Sequence, residues 1–268
     1  MKKLLILIIS LALFIPSVSF AAKAFDKDTG GTLTTGLQAW YNLEADGTDE
    51  FSTNNMTGTG GPTFTTGKIG NAVSVVRAST QYESIASSLG YSGSSYSISG
   101  WIYVTSTPAS GQLYTLADVS ETTNNTDLWI GYYNNAGTPS IFAARTRHGT
   151  ADDGPITAQT LTLNTWYHWA VTYDGANVRS YLNGSLLGGP TAASGTGGVG
   201  TATVAYIGTG GAGNTAHLFD GRLDLVGYWN KALSTTEISD LYNGGAGNAY
   251  RTQATAAACR IRQIGRCH

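Results

Sequence analysis

Apolar and polar side chains alternate with a period of two in several separated runs, the pattern of half-buried β-strands. In Tyr96-Ser-Ile-Ser-Gly-Trp-Ile-Tyr-Val104, one face collects Tyr96, Ile98, Ile102 and Val104 and the other Ser97, Ser99, Trp101 and Tyr103. Trp166-Tyr-His-Trp-Ala-Val-Thr-Tyr173 divides the same way, with Tyr167, Trp169, Val171 and Tyr173 on one side and Trp166, His168, Ala170 and Thr172 on the other. Asp174-Gly175 then supplies a tight turn, because Gly accepts the positive φ that two-residue hairpin turns demand. A second strand, 178–182, runs back and ends at Asn183-Gly184, another hairpin signal of the same kind. Two consecutive hairpins predict a central antiparallel strand in a layered β protein.

Further strands are expected near 37–43, 72–76, 81–85, 113–118, 128–133, 141–145, 203–208 and 218–229, with Asn134-Asn-Ala-Gly137 as a turn. Ser234-Thr-Thr-Glu237 is a capping box that starts one short helix through Ile238 and Leu241. Between these lie polar stretches: a leader at 22–35 with no hydrophobic period, an acidic loop at 44–61 and a Gly-rich loop at 188–200. A Gly- and Ala-rich linker follows at 244–258. No period points to internal repeats.

Composition sharpens this picture. Of 268 residues, 35 are Gly and only 12% are charged, the profile of many short strands joined by turns rather than of a helical bundle or a charged disordered chain. Net charge is −2. All 17 acids lie at or before Asp240, and Arg251, Arg260, Arg262 and Arg266 follow them. The acidic globule argues against general nucleic-acid binding, which needs a basic face.

Met1-Lys-Lys, the apolar run from Leu4 to Ile15 and Ser19-Phe20-Ala21 read as a signal peptide over 1–21 with the mature chain starting at Ala22. The apolar run is too short for a membrane span and is followed directly by Pro16. A secreted, periplasmic or cell-surface location is expected, with no membrane association after cleavage. Cys259 and Cys267 are the two cysteines. In an oxidising compartment they would close a small loop; the alternative is that neither pairs within the chain.

The paired hairpins resemble the signature of laminin G-like jelly-roll domains, relatives of concanavalin A-type lectins. Phe219-Asp-Gly-Arg-Leu-Asp-Leu-Val-Gly-Tyr-Trp-Asn-Lys-Ala-Leu-Ser234 with Glu237-Ile238 is similar to that family's closing strand and helix, and Gly36-Leu-Gln-Ala-Trp-Tyr-Asn-Leu43 to its first strand. The resemblance covers roughly residues 36–243. It implies an all-β fold, a two-sheet antiparallel jelly-roll β-sandwich with one short C-terminal helix. The domain would span 36–243, with 244–268 as linker and basic tail.

Candidate chemistry is sparse. Glycosidases of this superfamily need two carboxylates projecting from one strand, and no strand-like run carries such a pair. Lyases use a His base backed by Gln, Arg and Tyr; His168 lacks the Gln. Neither Gly-x-Ser-x-Gly nor a βαβ dinucleotide loop is present. The chain therefore reads as non-catalytic, with a lyase or hydrolase as one alternative and a structural or adhesive surface component docking through its tail as another. Under that last reading, removing 249–268 leaves the melting temperature nearly unchanged.

Oxygen-rich side chains suggest a structural Ca²⁺ site. Calcium takes six to eight oxygens, and Glu44, Asp46, Asp49, Glu50 and Asn54 crowd the loop after the first strand. That loop resembles the family's Asp-x-Ser-x-Asn loop, with Glu50 in place of Asp. Asp224 matches an Asp of the closing strand, while the family's neighbouring Glu and Arg are lost. Alternation places Asp224 with Val226 and Tyr228, and its other expected role is to cap loop N–H groups. For an extracellular glycan or surface protein, exposed aromatics and polar neighbours are needed. Trp129, Tyr133 and Arg145 are the favoured contacts, with Trp101, Tyr103 and His168 on the non-core face, although Trp101 and Trp166 also suit a packing role.

Overall fold

The computed structural model describes residues 22–91, 95–120, 126–147, 151–193, 203–210 and 213–253. The expected signal segment 1–21 and Cys259 and Cys267 lie outside these residues. In chain order the strands are β1 (Lys23–Phe25), β2 (Leu37–Tyr41), β3 (Thr57–Thr59), β4 (Thr63–Thr66), β5 (Asn71–Val75) and β6 (Tyr82–Ile85). They continue with β7 (Tyr96–Val104), β8 (Leu113–Ser120), β9 (Thr126–Asn135), β10 (Thr138–Arg147), β11 (Ala151–Asp153) and β12 (Ile156–Ala158). Then come β13 (Trp166–Tyr173), β14 (Asn177–Leu182), β15 (Ser185–Ala192), β16 (Val204–Ile207), β17 (Gly221–Trp229) and, after helix α1 (Thr235–Tyr242), β18 (Tyr250–Thr252).

Two antiparallel sheets face each other. Sheet I runs β11-β10-β9-β8-β16-β6-β3, with β12 also on β10; sheet II runs β15-β14-β13-β7-β17-β5-β4, with β2 also on β17. This is the expected jelly-roll sandwich. The two predicted hairpins are present as β13–β14 and β14–β15 in sheet II. Asn183 and Gly184 take φ of 48° and 76° at the second turn, as a tight hairpin turn requires.

The interior follows from alternation. Tyr96, Ile98, Ile102 and Val104 of β7 and Trp169, Val171 and Tyr173 of β13 pack between the sheets against Leu116, Val119, Leu128, Ile130, Ala205 and Ile207. A second apolar cluster covers the opposite side of sheet II. There Trp40, Trp101, Ala170, Tyr181, Leu225 and Trp229 meet Leu233, Ile238 and Leu241 from around α1, together with Phe25, Leu33 and Tyr250. Phe25 meets Trp40 edge-on at 4.8 Å and Tyr250 at 5.1 Å, and Trp40 meets Trp229 at 6.0 Å. The protein is thus three layers deep on this side, with helix and terminal segments over sheet II.

The compact unit runs from Ala24 to Arg251. It includes the stretch expected as a leader and the first part of the linker, because isolated apolar residues there, Phe25, Leu33, Ala249 and Tyr250, fill the second cluster. Of the described residues just outside this unit, the Gln253 N–H donates to the Ala22 carbonyl at 3.1 Å. The capping box forms as read: Ser234 N–H donates to Glu237 Oε2 at 2.8 Å and Glu237 N–H to Ser234 Oγ at 3.3 Å. Among the described residues no helix is long and apolar enough to cross a membrane.

Candidate functional site

The outer face of sheet I carries a row of aromatic and polar side chains. Leu128 and Ile130 point into the core, so Trp129 and Tyr133 take the outer side of β9. Register then sets Trp129 beside Ala144 of β10 and beside Asp118 of β8, and Asp118 beside Tyr206 of β16. Phe142 lies opposite Gly131, between the two β9 aromatics; its ring meets Trp129 edge-on at 4.5 Å and Tyr133 at 6.2 Å. Tyr82 meets Tyr206 at 5.9 Å at the far end. Tyr133 and Phe142 are partly exposed, whereas Trp129, Asp118 and Tyr206 are buried in the row. Burial, with Tyr82 and Asp118 nearby, holds the Tyr206 phenol above its ordinary range.

Trp129 and Tyr133 were expected on this face, and the row adds Asp118, Phe142 and Tyr206. A β-bulge between Thr115 and Ala117 hides Asp118 from a simple alternation. Arg145 stands opposite Asp153 in the β10–β11 register; its side chain is not among those described.

The other expected contact face is closed. On the outer side of sheet II, Trp101 is 2% and His168 1% exposed. The ring of Tyr242, at the end of α1, stacks on Trp101 at 5.8 Å and lies 6.1 Å from His168, and Lys68 Nζ sits 4.5 Å from the centre of the Trp101 ring. Neither side chain is open to a ligand, because the helix packs across the face that alternation left uncovered. Burial pushes the His168 imidazole down to about 3, so it is neutral near pH 7. Its Nε2 shares a 2.9 Å hydrogen bond with Ser99 Oγ, and Nδ1 has no partner. This is a packed histidine rather than a base facing substrate. Tyr103 stays partly exposed beside Trp166 at 5.4 Å, with the Arg222 guanidinium 4.7 Å from its ring centre.

The six oxygen donors expected around one cation fall into three places. Asp49 is buried and occupied by protein donors: Oδ1 accepts from the N–H groups of Trp40 and Phe51, and Oδ2 from Ser52 Oγ and Asn54 N–H. The Asn54 amide donates to the Gln38 carbonyl, and Glu50 N–H to the Trp40 carbonyl. These three residues shape the loop. Asp46 is exposed and lines a pocket with Glu83.

Glu44 and Asp224 do converge, on the turn 67–71. Glu44 Oε2 accepts from Asn71 N–H at 2.8 Å, and Asp224 Oδ2 accepts from Lys68 and Ile69 N–H at 2.7 and 3.2 Å. Gly67 and Gly70 permit the approach, since a Cβ there would stand 2.6 Å from Asp224 Oδ2 and 2.1 Å from Glu44 Oε1. Asp224 does not share a face with Val226 and Tyr228. A bulge after it, with Leu225 at φ 50°, shifts the alternation and sets it opposite Trp101 on the outer side. Its Oδ1 is buried without a partner, and burial first of all pushes the carboxyl up to about 8, with Glu44 adding to the effect. Among the described residues no group of three or more His, Cys, Asp or Glu surrounds one point.

Solved structures with the same architecture include domain 4 of AbnA, a GH43 extracellular arabinanase from Geobacillus stearothermophilus, in complex with arabinotriose. That likeness has 19% identity and a TM-score of 0.60 over 76% of this chain and 97% of that one. The binding domain of Paraclostridial Mosquitocidal Protein 1 is 18% identical, with a TM-score of 0.62 over 80% and 53% of the two chains. The binding domain of Botulinum Neurotoxin DC, in complex with SialylT, is 14% identical, with a TM-score of 0.59 over 79% and 52%. The chain thus spans about half the length of those two toxin domains. At these identities the likeness establishes the fold. A comparison with curated protein sequences finds no match. A laminin G-type family profile matches residues 77–239, more than half of the chain, and the chain belongs to the concanavalin A-like lectin/glucanases superfamily.

Proposed function

We propose that this protein is a non-catalytic recognition module that binds extracellular carbohydrate along the outer face of sheet I. The observation that carries the reading is the partly exposed pair Tyr133 and Phe142 on that face, backed by the buried Trp129, Asp118 and Tyr206. Aromatic rings offer apolar faces to sugar C–H groups, and a few placed polar groups fix orientation. The family membership supports a binding role, as do the similar domains found with arabinotriose and with SialylT. The burial of His168, the one base considered from sequence, supports the absence of catalysis. The N-terminal signal pattern supports a site of action outside the cytoplasm.

The reading includes a structural Ca²⁺ held by Asp224 and Glu44. The orphaned, buried Oδ1 of Asp224 is the supporting observation, because such an oxygen without donors calls for a cation or a proton. Bound there, Ca²⁺ would neutralise the two carboxylates at the 67–71 turn; Asp46, Asp49, Glu50 and Asn54 are not part of that set.

One experiment tests both halves. The mature protein is titrated against arabino-oligosaccharides, other plant and microbial polysaccharides and sialylated glycans, with Ca²⁺ and with EGTA, while its melting temperature is followed. Tyr133→Ala with Phe142→Ala should weaken binding about tenfold or more, as the loss of two partly exposed rings implies. Ca²⁺ should raise the melting temperature of the wild type but not of Asp224→Asn. Glycan binding unchanged in the double variant, or no glycan bound in either buffer, defeats the carbohydrate reading. A melting temperature indifferent to Ca²⁺ defeats the metal site.

A further inference from the structure

Glu83 is a carboxylate on an inward-facing position. On β6 it shares the side of Ile85, which packs on the inter-sheet core, and its register partners are Ile207 of β16 and Gly58 of β3. Only 2% of it is exposed, and no hydrogen bond or ion pair within the described residues satisfies it. Leaving a buried carboxyl without a donor costs free energy unless something else meets it. The glycine opposite explains where that partner would enter. A Cβ on Gly58 would stand 3.0 Å from Glu83 Oε1 and 2.7 Å from Pro62 Cγ, so the bare backbone there leaves the carboxyl an opening.

The opening is a pocket of about 370 Å³ whose lining includes Asp46, Met56, Gly58, Pro62, Phe64 and Glu83. Asp46 is exposed at it, and the hydrogen bonds from Thr48 hold its carboxyl below the ordinary range. Burial, and then the charge of Asp46, push the Glu83 carboxyl up to about 7. Two acidic groups thus share one cavity with a thioether, a proline ring and a phenyl ring. A divalent metal is a poor match, since it wants a shell of six to eight oxygens and much of this lining is the apolar surface of Met56, Pro62 and Phe64. A single water would fill little of the space. An organic cation uses both features at once: its charge meets the carboxylates and its carbon chain meets the apolar wall.

We propose that this pocket binds a primary ammonium group on a short apolar stem, with Glu83 and Asp46 as its anionic partners and Met56, Pro62 and Phe64 around the stem. The group belongs either to a lysine side chain of a partner protein or to a free alkyl amine. The site is separate from the aromatic row, because Glu83 faces inward from β6 whereas that row lies on the outer side of the sheet.

The test titrates the ¹⁵N-labelled full-length mature protein with n-butylammonium, putrescine, Nα-acetyl-lysine methylamide, 1-butanol and CaCl₂, following the amides of Gly47, Thr57, Gly58 and Gly61. n-Butylammonium should shift these amides with a Kd of about millimolar order, and 1-butanol should not. Glu83→Gln should weaken the amine about tenfold or more through the lost charge-assisted bond, whereas Tyr133→Ala should leave it unchanged. Response to Nα-acetyl-lysine methylamide assigns the site to a protein lysine, and response to putrescine without it assigns the site to free amines. The proposal is overturned by no shift with any amine, by equal shifts with 1-butanol, by tighter displacement with Ca²⁺, or by unaltered affinity in Glu83→Gln. The 1-butanol and Ca²⁺ comparisons use the wild type and stand whatever the fate of the variant.

Discussion

Two buried titratable side chains give this protein opposite responses to pH. Glu83 has its carboxyl raised from 4.5 to about 7 by burial and by Asp46. Between those values the folded chain keeps a proton that the unfolded chain has released, so stability falls as pH rises, by roughly 3 kcal/mol in all. For His168 the imidazole is lowered from 6.5 to about 3 by burial. There the unfolded chain gains a proton that the folded one refuses, and stability falls as pH drops through that window. Urea midpoints measured from pH 3 to pH 8 should therefore show Glu83→Gln flattening the limb above pH 5 and His168→Leu flattening the limb below pH 6.5. If both variants merely offset the wild-type curve by a constant, these two groups do not set its shape. The sequence revealed His168 as a strand residue and Glu83 as an isolated acid. It did not reveal that either is buried, because burial here depends on a helix more than sixty residues away and on a glycine of another strand.

Helix α1 is short, and its cap matters more than its length. An eight-residue helix does not hold by propensity alone; Ser234 and Glu237 satisfy its first N–H groups, and Lys231 pairs with Glu237. Ile238, Leu241 and Tyr242 then press onto Trp101, and Gly184 makes room, since a Cβ there would lie 2.9 Å from Tyr242 Cδ1. Ser234→Ala should cost about 1 kcal/mol in chemical unfolding and raise quenching of Trp101 by acrylamide. Unaltered stability would mean that packing alone holds the helix. This capping box was plain from Ser-Thr-Thr-Glu, as were the β13–β14–β15 hairpins from Asp-Gly and Asn-Gly. Strands β3 and β4 were not, because Thr-Gly-Thr and Thr-Phe-Thr-Thr carry no lasting period. The bulge at Leu225 was equally hidden, since a non-glycine residue at positive φ leaves no mark in composition, and it moved Asp224 to the other side of the sheet.

The whole sandwich is closed by its ends. Phe25 and Tyr250, some 225 positions apart, complete the cluster over sheet II, and Arg251 pairs with Asp26 at 2.7 Å. The segments expected as leader and linker therefore act as part of the globule, which a scan for periodicity misses because each contributes one or two apolar residues. Tyr250→Ala should cost about 2 kcal/mol and lower the melting temperature by roughly 4–8 °C, and removing 249–268 should cost at least as much. That contradicts the expectation that such a truncation is silent; a melting temperature unmoved by Tyr250→Ala would restore it. The jelly-roll architecture itself was readable, because alternation, turns and one cap agreed at every level.

Because Phe25, Tyr250 and α1 occupy the outside of sheet II, that side of the compact unit is its covered back, and the aromatic row of sheet I is its front. If that front binds glycan as proposed, several copies strung together would hold a repetitive polymer cooperatively, gaining strength from local concentration instead of from any stronger individual grasp.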